Sequence, residues 1–319
     1  MKKYDILASG YVSMDRIVKL KSPMQVGFTS LIQNKSSNDI QYGGCSVNIC
    51  YDLCKIGVKA MPIMRVGEDY KEIGFESFLK NANIPLDAIE IINNEKTSFS
   101  YLLQDNQGQH VTLFYAGAMD EKFAKPLDDE LFKNTKLAIM TVASIKDNQN
   151  FFEMCKKHNI PLIFSMKGDV NAFPKEFLHD VLLYSKMIFT NEVERESIEN
   201  TFNFNMDELL SKGNCDFLIT TLGENGSICY YKEYNQIKTI KVPVYNNCKL
   251  VDTTGCGDGF VSGFLYGYMK NMSAKDCTIF ATALSSYIIE KEGCCTNAPN
   301  ESMLVKRYDE IKNLLNGDV

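Results

Sequence analysis

Tryptophan is absent from the 319-residue sequence, and histidine is scarce, with only His110, His158 and His179. The first absence removes indole fluorescence as a reporter of ligand binding. The second, together with cysteines that never fall as C-x-x-C, leaves no zinc-ligand spacing. No uncharged apolar stretch approaches the roughly 18 residues of a membrane-span candidate. Met1-Lys2-Lys3-Tyr4-Asp5 meets an aspartate at once and lacks the apolar run of a secretory signal. The phosphate loop G-x-x-x-x-G-K-[ST] does not occur, and the dinucleotide pattern G-x-G-x-x-G fails because position 260 is Phe. Internal repeats, proline- or serine-rich linkers and charge blocks are missing too, which favours one domain over 1–319. These absences predict a cytoplasmic protein without a membrane partner.

What is present is globular in character, with 45% hydrophobic and 23% charged residues. Lys and Arg number 34 against 40 Asp and Glu, a formal charge of −6, so no nucleic-acid partner is expected. The eleven cysteines are an odd number, which argues against a complete disulfide framework. Most fall in apolar runs, where a reduced thiol acts as a small hydrophobe. Cys45 and Cys256 stand apart because glycines surround them.

Along the chain, apolar runs of strand length alternate with segments of helical period. Ile6 to Ser9, Ala60 to Val66, Leu137 to Thr141, Leu162 to Ser165, Met187 to Thr190 and Phe217 to Thr221 read as buried strands, and Val47 to Ile56 and Ile73 to Leu79 as helices. The rhythm predicts an α/β fold, a doubly wound, mostly parallel sheet sandwiched by helices. Phe99 to Gln104 and Val111 to Tyr115 flank Asp105-Asn106-Gln107-Gly108 as a hairpin. With the polar strand Arg16 to Leu20, it predicts a small β lid within 12–42 and 97–116. The last third reads as helical, over Gly257 to Met269, Ala274 to Lys291 and Ser302 to Leu315.

The segment with most chemistry is Asp252-Thr253-Thr254-Gly255-Cys256-Gly257-Asp258, directly before an apolar helix. Small residues at a helix start leave backbone N–H groups aimed at one spot, where the helix dipole adds positive charge. Such a place suits a phosphate or a developing oxyanion. An aspartate there repels an anion, but it makes sense as a base that takes a proton from an attacking hydroxyl. The plainer alternative is that Asp258 only caps the helix, a role worth about 1 kcal/mol.

This segment resembles the second signature of the ribokinase-like, or PfkB, family of carbohydrate and nucleoside kinases, D-T-x-G-A-G-D, with Cys256 in place of alanine. Gly43-Gly44-Cys45-Ser46-Val47-Asn48, followed by Gly57 and Gly67, resembles the first signature, with Cys50 where a smaller residue is usual. Asn191-Glu192-Val193-Glu194 resembles the family's N-x-x-E, and Thr220-Thr221-Leu222-Gly223 its nucleotide-side turn. Gly293 to Pro299 is similar to the matching stretch of archaeal-type nucleoside kinases.

The resemblance implies ATP-dependent transfer of the γ-phosphoryl group to a primary hydroxyl of a sugar or of a nucleoside's ribose. It implies Asp258 as base, and the amides of Gly255, Cys256 and Gly257 as an anion hole to which Cys256 gives its backbone; a redox role for its thiol is the alternative. Asp15, Gly43, Gly44 and Asn48 would hold the acceptor, and Thr221, Gly223 and Gly226 the nucleotide. Asn191 and Glu194 would also organise Mg²⁺ through waters, and Asp252 and Thr254 a monovalent cation such as K⁺. A sugar-phosphate kinase would need extra cations; Arg16, Lys19, Arg65 and Lys167 are candidates, expected instead as solvated surface charges. A non-catalytic sugar or nucleotide sensor is the alternative from another class. The apolar lid fits purine stacking, and fits equally a homodimer joined through the lid.

Overall fold

The computed structural model describes residues 2–166, 172–234 and 236–317; Lys167 lies outside them. Thirteen strands are described: β1 Tyr4–Ser9, β2 Ser13–Lys19, β3 Gln41–Gly43, β4 Ala60–Gly67, β5 Ile89–Ile92, β6 Phe99–Gln104, β7 His110–Tyr115, β8 Thr135–Met140, β9 Leu162–Ser165, β10 Met187–Asn191, β11 Phe217–Thr221, β12 Ser227–Glu233 and β13 Gln236–Val242. The helices are α1 Cys45–Lys55, α2 Phe75–Asn81, α3 Asp129–Lys133, α4 Ile145–Lys157, α5 Lys175–Tyr184, α6 Glu192–Phe202, α7 Leu209–Lys212, α8 Cys256–Met269, α9 Ala274–Ile288 and α10 Glu301–Asn316.

Nine strands form one sheet in the order β13-β12-β11-β10-β9-β8-β1-β4-β5, parallel except at β11-β12-β13. Its strands bury alternate residues on opposite faces. Ile6, Ala8, Leu137 and Ile139 join a core with α1, α8, α9 and α10. Leu7, Ala138 and Met140 join a second core with α4, α5 and α7. Both faces are thus covered, as the doubly wound reading requires. The last third is not wholly helical, however. Strands β12 and β13 close one edge of the sheet; β12 is buried or half-buried throughout, whereas β13 is polar and largely exposed and carries little strand signal. β5 escaped notice for its shortness, at four residues.

The second sheet has four strands, β3-β2-β6-β7. β6 lies parallel to β2, with Asp15 beside Ser100, and antiparallel to β7, with Ser100 beside Phe114. Directly paired residues share a face, so Asp15, Ser100 and Phe114 project to the same side. Arg65 departs from expectation. It is 7% exposed and makes a two-pronged ion pair with Asp147, at 2.7 and 2.8 Å, while its Nε donates to the Ala118 carbonyl. Burial of a guanidinium requires such full pairing. All eleven cysteines are free thiols, and no helix among the described residues is long and apolar enough to cross a membrane.

Candidate active site

The helix α8 starts at Gly255, whose φ of +78° and tight setting, where a Cβ would stand 2.8 Å from the Cys294 Cα, admit only glycine. Asp258 sits in the first turn and is 3% exposed. The helix α1 starts after Gly43-Gly44. A Cβ on Gly44, at φ +96°, would lie 2.2 Å from the Tyr11 carbonyl oxygen, so this turn can press against the sheet only as glycine. Four residues on, Asn48 faces α8 and its Nδ2 donates to Asp258 Oδ2 at 2.8 Å. The Cys295 thiol donates to Asn48 Oδ1 at 3.5 Å. Burial, then the charges around it, push the Cys295 thiol far above its ordinary range, so it remains a donor. The asparagine is thereby oriented, with oxygen toward the thiol and nitrogen toward the carboxyl.

On the small sheet, Asp15 Oδ1 accepts from the hydroxyls of Ser13 and Ser100. Burial raises the Asp15 carboxyl above its usual range, and the two hydroxyls offset only part of that rise. A Cβ built on Gly43 would lie 3.3 Å from Asn48 Oδ1 and 3.6 Å from Asp15 Oδ2. Asp15, Gly43, Asn48 and Asp258 therefore line one continuous polar surface, assembled from β2, β3, α1 and α8.

The residues expected on the nucleotide side gather across the start of α8. Asn191 and Glu194 form a reciprocal cap on α6: Glu194 N–H donates to Asn191 Oδ1 at 2.8 Å, and Asn191 N–H to Glu194 Oε2 at 2.9 Å. Thr221 pairs with Asn191 across β10 and β11. Asn191, Glu194, Thr221, Gly257 and Phe260 border a cavity of about 60 Å³, which links the strand ends to the helix start. Gly223 and Gly226 bracket the turn from β11 to β12. Within the glycine-rich turn, Cys256 N–H donates to the Thr253 carbonyl at 3.1 Å, so this amide is engaged inside its own loop. The Cys256 thiol meets Ser285 Oγ on α9 at 3.1 Å. Asp252 receives Thr254 N–H, Thr254 Oγ1 and Gly293 N–H at 3.0, 2.7 and 3.0 Å. Burial alone would raise its carboxyl, but these donors outweigh burial and hold it below its usual value.

Four contributors escaped the sequence reading. Ser13 and Ser100 hold Asp15, and only the strand register brings Ser100 there. Cys295 orients Asn48 from a stretch read only for its likeness to nucleoside kinases. Asp52, four residues after Asn48, is 1% exposed and lies on the same helix face; that spacing was visible in the sequence.

A polar surface beside the small sheet and a cavity at the strand ends both reach the first turn of α8, where the Asp258 carboxyl is buried. With the fold, they define a phosphotransferase that acts on a hydroxyl group. The chain belongs to the pfkB family of carbohydrate kinases, whose family model matches residues 3–301. A nucleoside kinase of Methanocaldococcus jannaschii is 30% identical over 269 residues, 84% of this chain and 86% of the relative. The crystal structure of the nucleoside kinase from that organism, an archaeal member of the ribokinase family, superimposes with a TM-score of 0.85 at 27% identity, covering 97% and 99% of the two chains. Two further structures share the fold. The Burkholderia thailandensis nucleoside kinase in complex with inosine has a TM-score of 0.81 at 21% identity, covering 96% and 98% of the chains. The Arabidopsis thaliana ribokinase complexed with ribose and ATP has 0.79 at 20%, with the same coverage.

Proposed function

We propose that this family member is an ATP-dependent nucleoside kinase that phosphorylates the primary hydroxyl of the ribose. The observation that carries the nucleoside reading is Phe114. It lies on the face of the small sheet that carries Asp15 and Ser100, is 43% exposed, and stands edge-on to Tyr11 at 5.0 Å between ring centroids. An aromatic face two strands from a diol-binding carboxylate suits a base attached to that sugar. The 30% identical nucleoside kinase supports the same reading. A phosphorylated sugar fits less well. Arg65 is consumed by Asp147, Lys19 pairs with Glu292 at 2.8 Å, and Arg16 lies over the Tyr101 ring, on the face opposite Asp15.

In this reading Asp15, Gly43, Gly44 and Asn48 hold the ribose, and Asp258, fixed by Asn48, accepts the proton of the attacking hydroxyl. The Gly255 and Gly257 amides, with the Cys256 backbone completing the turn, meet charge on the moving phosphoryl group. The nucleotide lies along Thr221, Gly223 and Gly226. Asn191 and Glu194 offer an amide and a carboxylate, oxygen donors that suit an ion which keeps most of its waters. Bound Mg²⁺ would neutralise the donor phosphates. Asp252 and Thr254 also offer oxygens suited to K⁺, although Asp252 is already tied to Thr254 and Gly293. One domain with the small sheet as its lid completes the reading, and lid closure would keep water from competing as acceptor.

The test is ADP release from ATP and Mg²⁺ with adenosine, inosine, cytidine, ribose or fructose as acceptor. Nucleosides should give the highest kcat/KM. Phe114→Ala should raise KM for a nucleoside about 5- to 100-fold, the range of one lost base–aromatic stack, and leave KM for ribose unchanged. A preference for ribose overturns the nucleoside reading, and no acceptor-dependent release with any of them favours a sensor.

A further inference from the structure

Among the described residues, Asp52 is the one fully buried carboxyl that the proposed chemistry does not use. It is 1% exposed, and neither of its side-chain oxygens has a hydrogen-bond partner among the described residues. Leaving a buried carboxyl unmatched is expensive, and an amide or an aliphatic side chain would fill the same space at lower cost. Its place explains why an acid stands there. Asp52 lies one turn after Asn48 on α1, and Asn48 holds Asp258 on α8. The two helices pack directly, with Ser262 Oγ on α8 donating to the Ile49 carbonyl on α1 at 3.4 Å. Two carboxyl groups thus occupy one water-poor wall.

We propose that Asp52 is a positioning residue of the transfer site: an uncharged carboxyl behind Asn48 that leaves the wall between α1 and α8 with a single negative charge, on Asp258. The helix dipoles divide the pair in this sense. Asp258 is in the first turn of α8, where a negative charge is favoured, and Asp52 is in the last turn of α1, where it is disfavoured. The groups whose charges act with Asp52 are Asp258 on α8, Cys295 on the loop after α9, and Tyr51 on its own helix. Burial, and then the Asp258 charge, raise the Asp52 carboxyl well above its ordinary range. Two like charges in such a wall cannot both form cheaply, as in any close carboxyl pair. When Asp52 does release its proton to solvent at high pH, a second negative charge stands behind the base, where an anionic phosphoryl group must arrive.

The charge-state claim is independent of the kinase reading, and the role in transfer rests on it. An unfolded chain ionises Asp52 near pH 4, whereas the folded protein keeps the proton. Stability is therefore lost as pH rises from there through the raised folded value. Asp52→Asn removes that loss. Its Tm should gain on wild type between pH 5 and pH 8, by about 2 °C for each pH unit over which the folded carboxyl keeps its proton in a chain of this size. The wild-type minus variant infrared difference at pH 7 should show a neutral carboxyl band. In turnover, wild type should lose kcat on the alkaline side and Asp52→Asn should not, with acceptor KM alike in both.

Parallel Tm curves, or no neutral carboxyl band, overturn the charge state; an identical alkaline decline in both proteins overturns the positioning role. If no acceptor turns over, the kinase reading and the positioning role fall together, and Tm and infrared still decide the charge state. Should Asp52→Asn not fold, Asp258→Asn serves instead. With its charge gone, the Asp52 band must disappear at lower pH than in wild type, and an unchanged titration overturns the proposal.

Discussion

Asp258 combines two demands that conflict for a single residue. As a first-turn carboxylate it is favoured by the helix dipole, and as a group only 3% exposed it must be held by neighbours. Asn48 resolves the conflict with one 2.8 Å hydrogen bond, and the Cys295 thiol keeps the amide from turning over. In its proposed role of base, Asp258 held this way is pre-aimed, so its removal should affect chemistry rather than binding. Asp258→Asn keeps the shape and can still hydrogen-bond, but cannot accept the hydroxyl proton. The expected outcome is a fall in kcat of about 10²- to 10⁴-fold, with an unchanged Tm within a few degrees and unchanged nucleotide affinity by calorimetry. An unaltered kcat removes Asp258 from the role of base.

Among the elements, α8 is the most constrained, because its start carries the proposed base and its body is buried on nearly every side. A methyl group on Gly255 meets two obstacles at once, the positive φ and the Cys294 backbone 2.8 Å away. Gly255→Ala should therefore cost about 2 kcal/mol or more, read by urea unfolding, and should lower kcat because the 255–257 backbone shifts. The start of α8 could be read in advance because glycines and a carboxyl cluster there in sequence. The same holds for the α1 start and for β9 and β11, whose apolar runs end where their strands do. What could not be read depends on distant pairing. β13 is a polar edge strand that reaches the sheet only through β12, which itself pairs antiparallel with β11. Arg65 gave no sign of Asp147, 82 residues away. Ser100 reaches Asp15 only through the parallel register of β2 and β6.

For the whole molecule, the large sheet supplies a fixed floor, and the small sheet stands over it with one long unpaired edge. That edge is β7, exposed at all six positions, with Val111 45%, Leu113 54% and Tyr115 44% exposed. An apolar open edge invites pairing with another strand and is seldom left bare. We propose the same edge of a second copy, related by a two-fold axis, as the occupant that matches it in length and pattern. Leu113 is the side chain to test. It pairs with Tyr101 on the face away from Asp15, so changing it does not touch the acceptor surface. Sedimentation should show wild type as a dimer at micromolar concentration. Leu113→Lys should weaken the dimer at least about tenfold, or ~1.4 kcal/mol, without changing kcat for subunits that remain folded. A wild type that sediments as a monomer at the same concentration would show that β7 is not a subunit interface, and the small sheet would then act on each site alone.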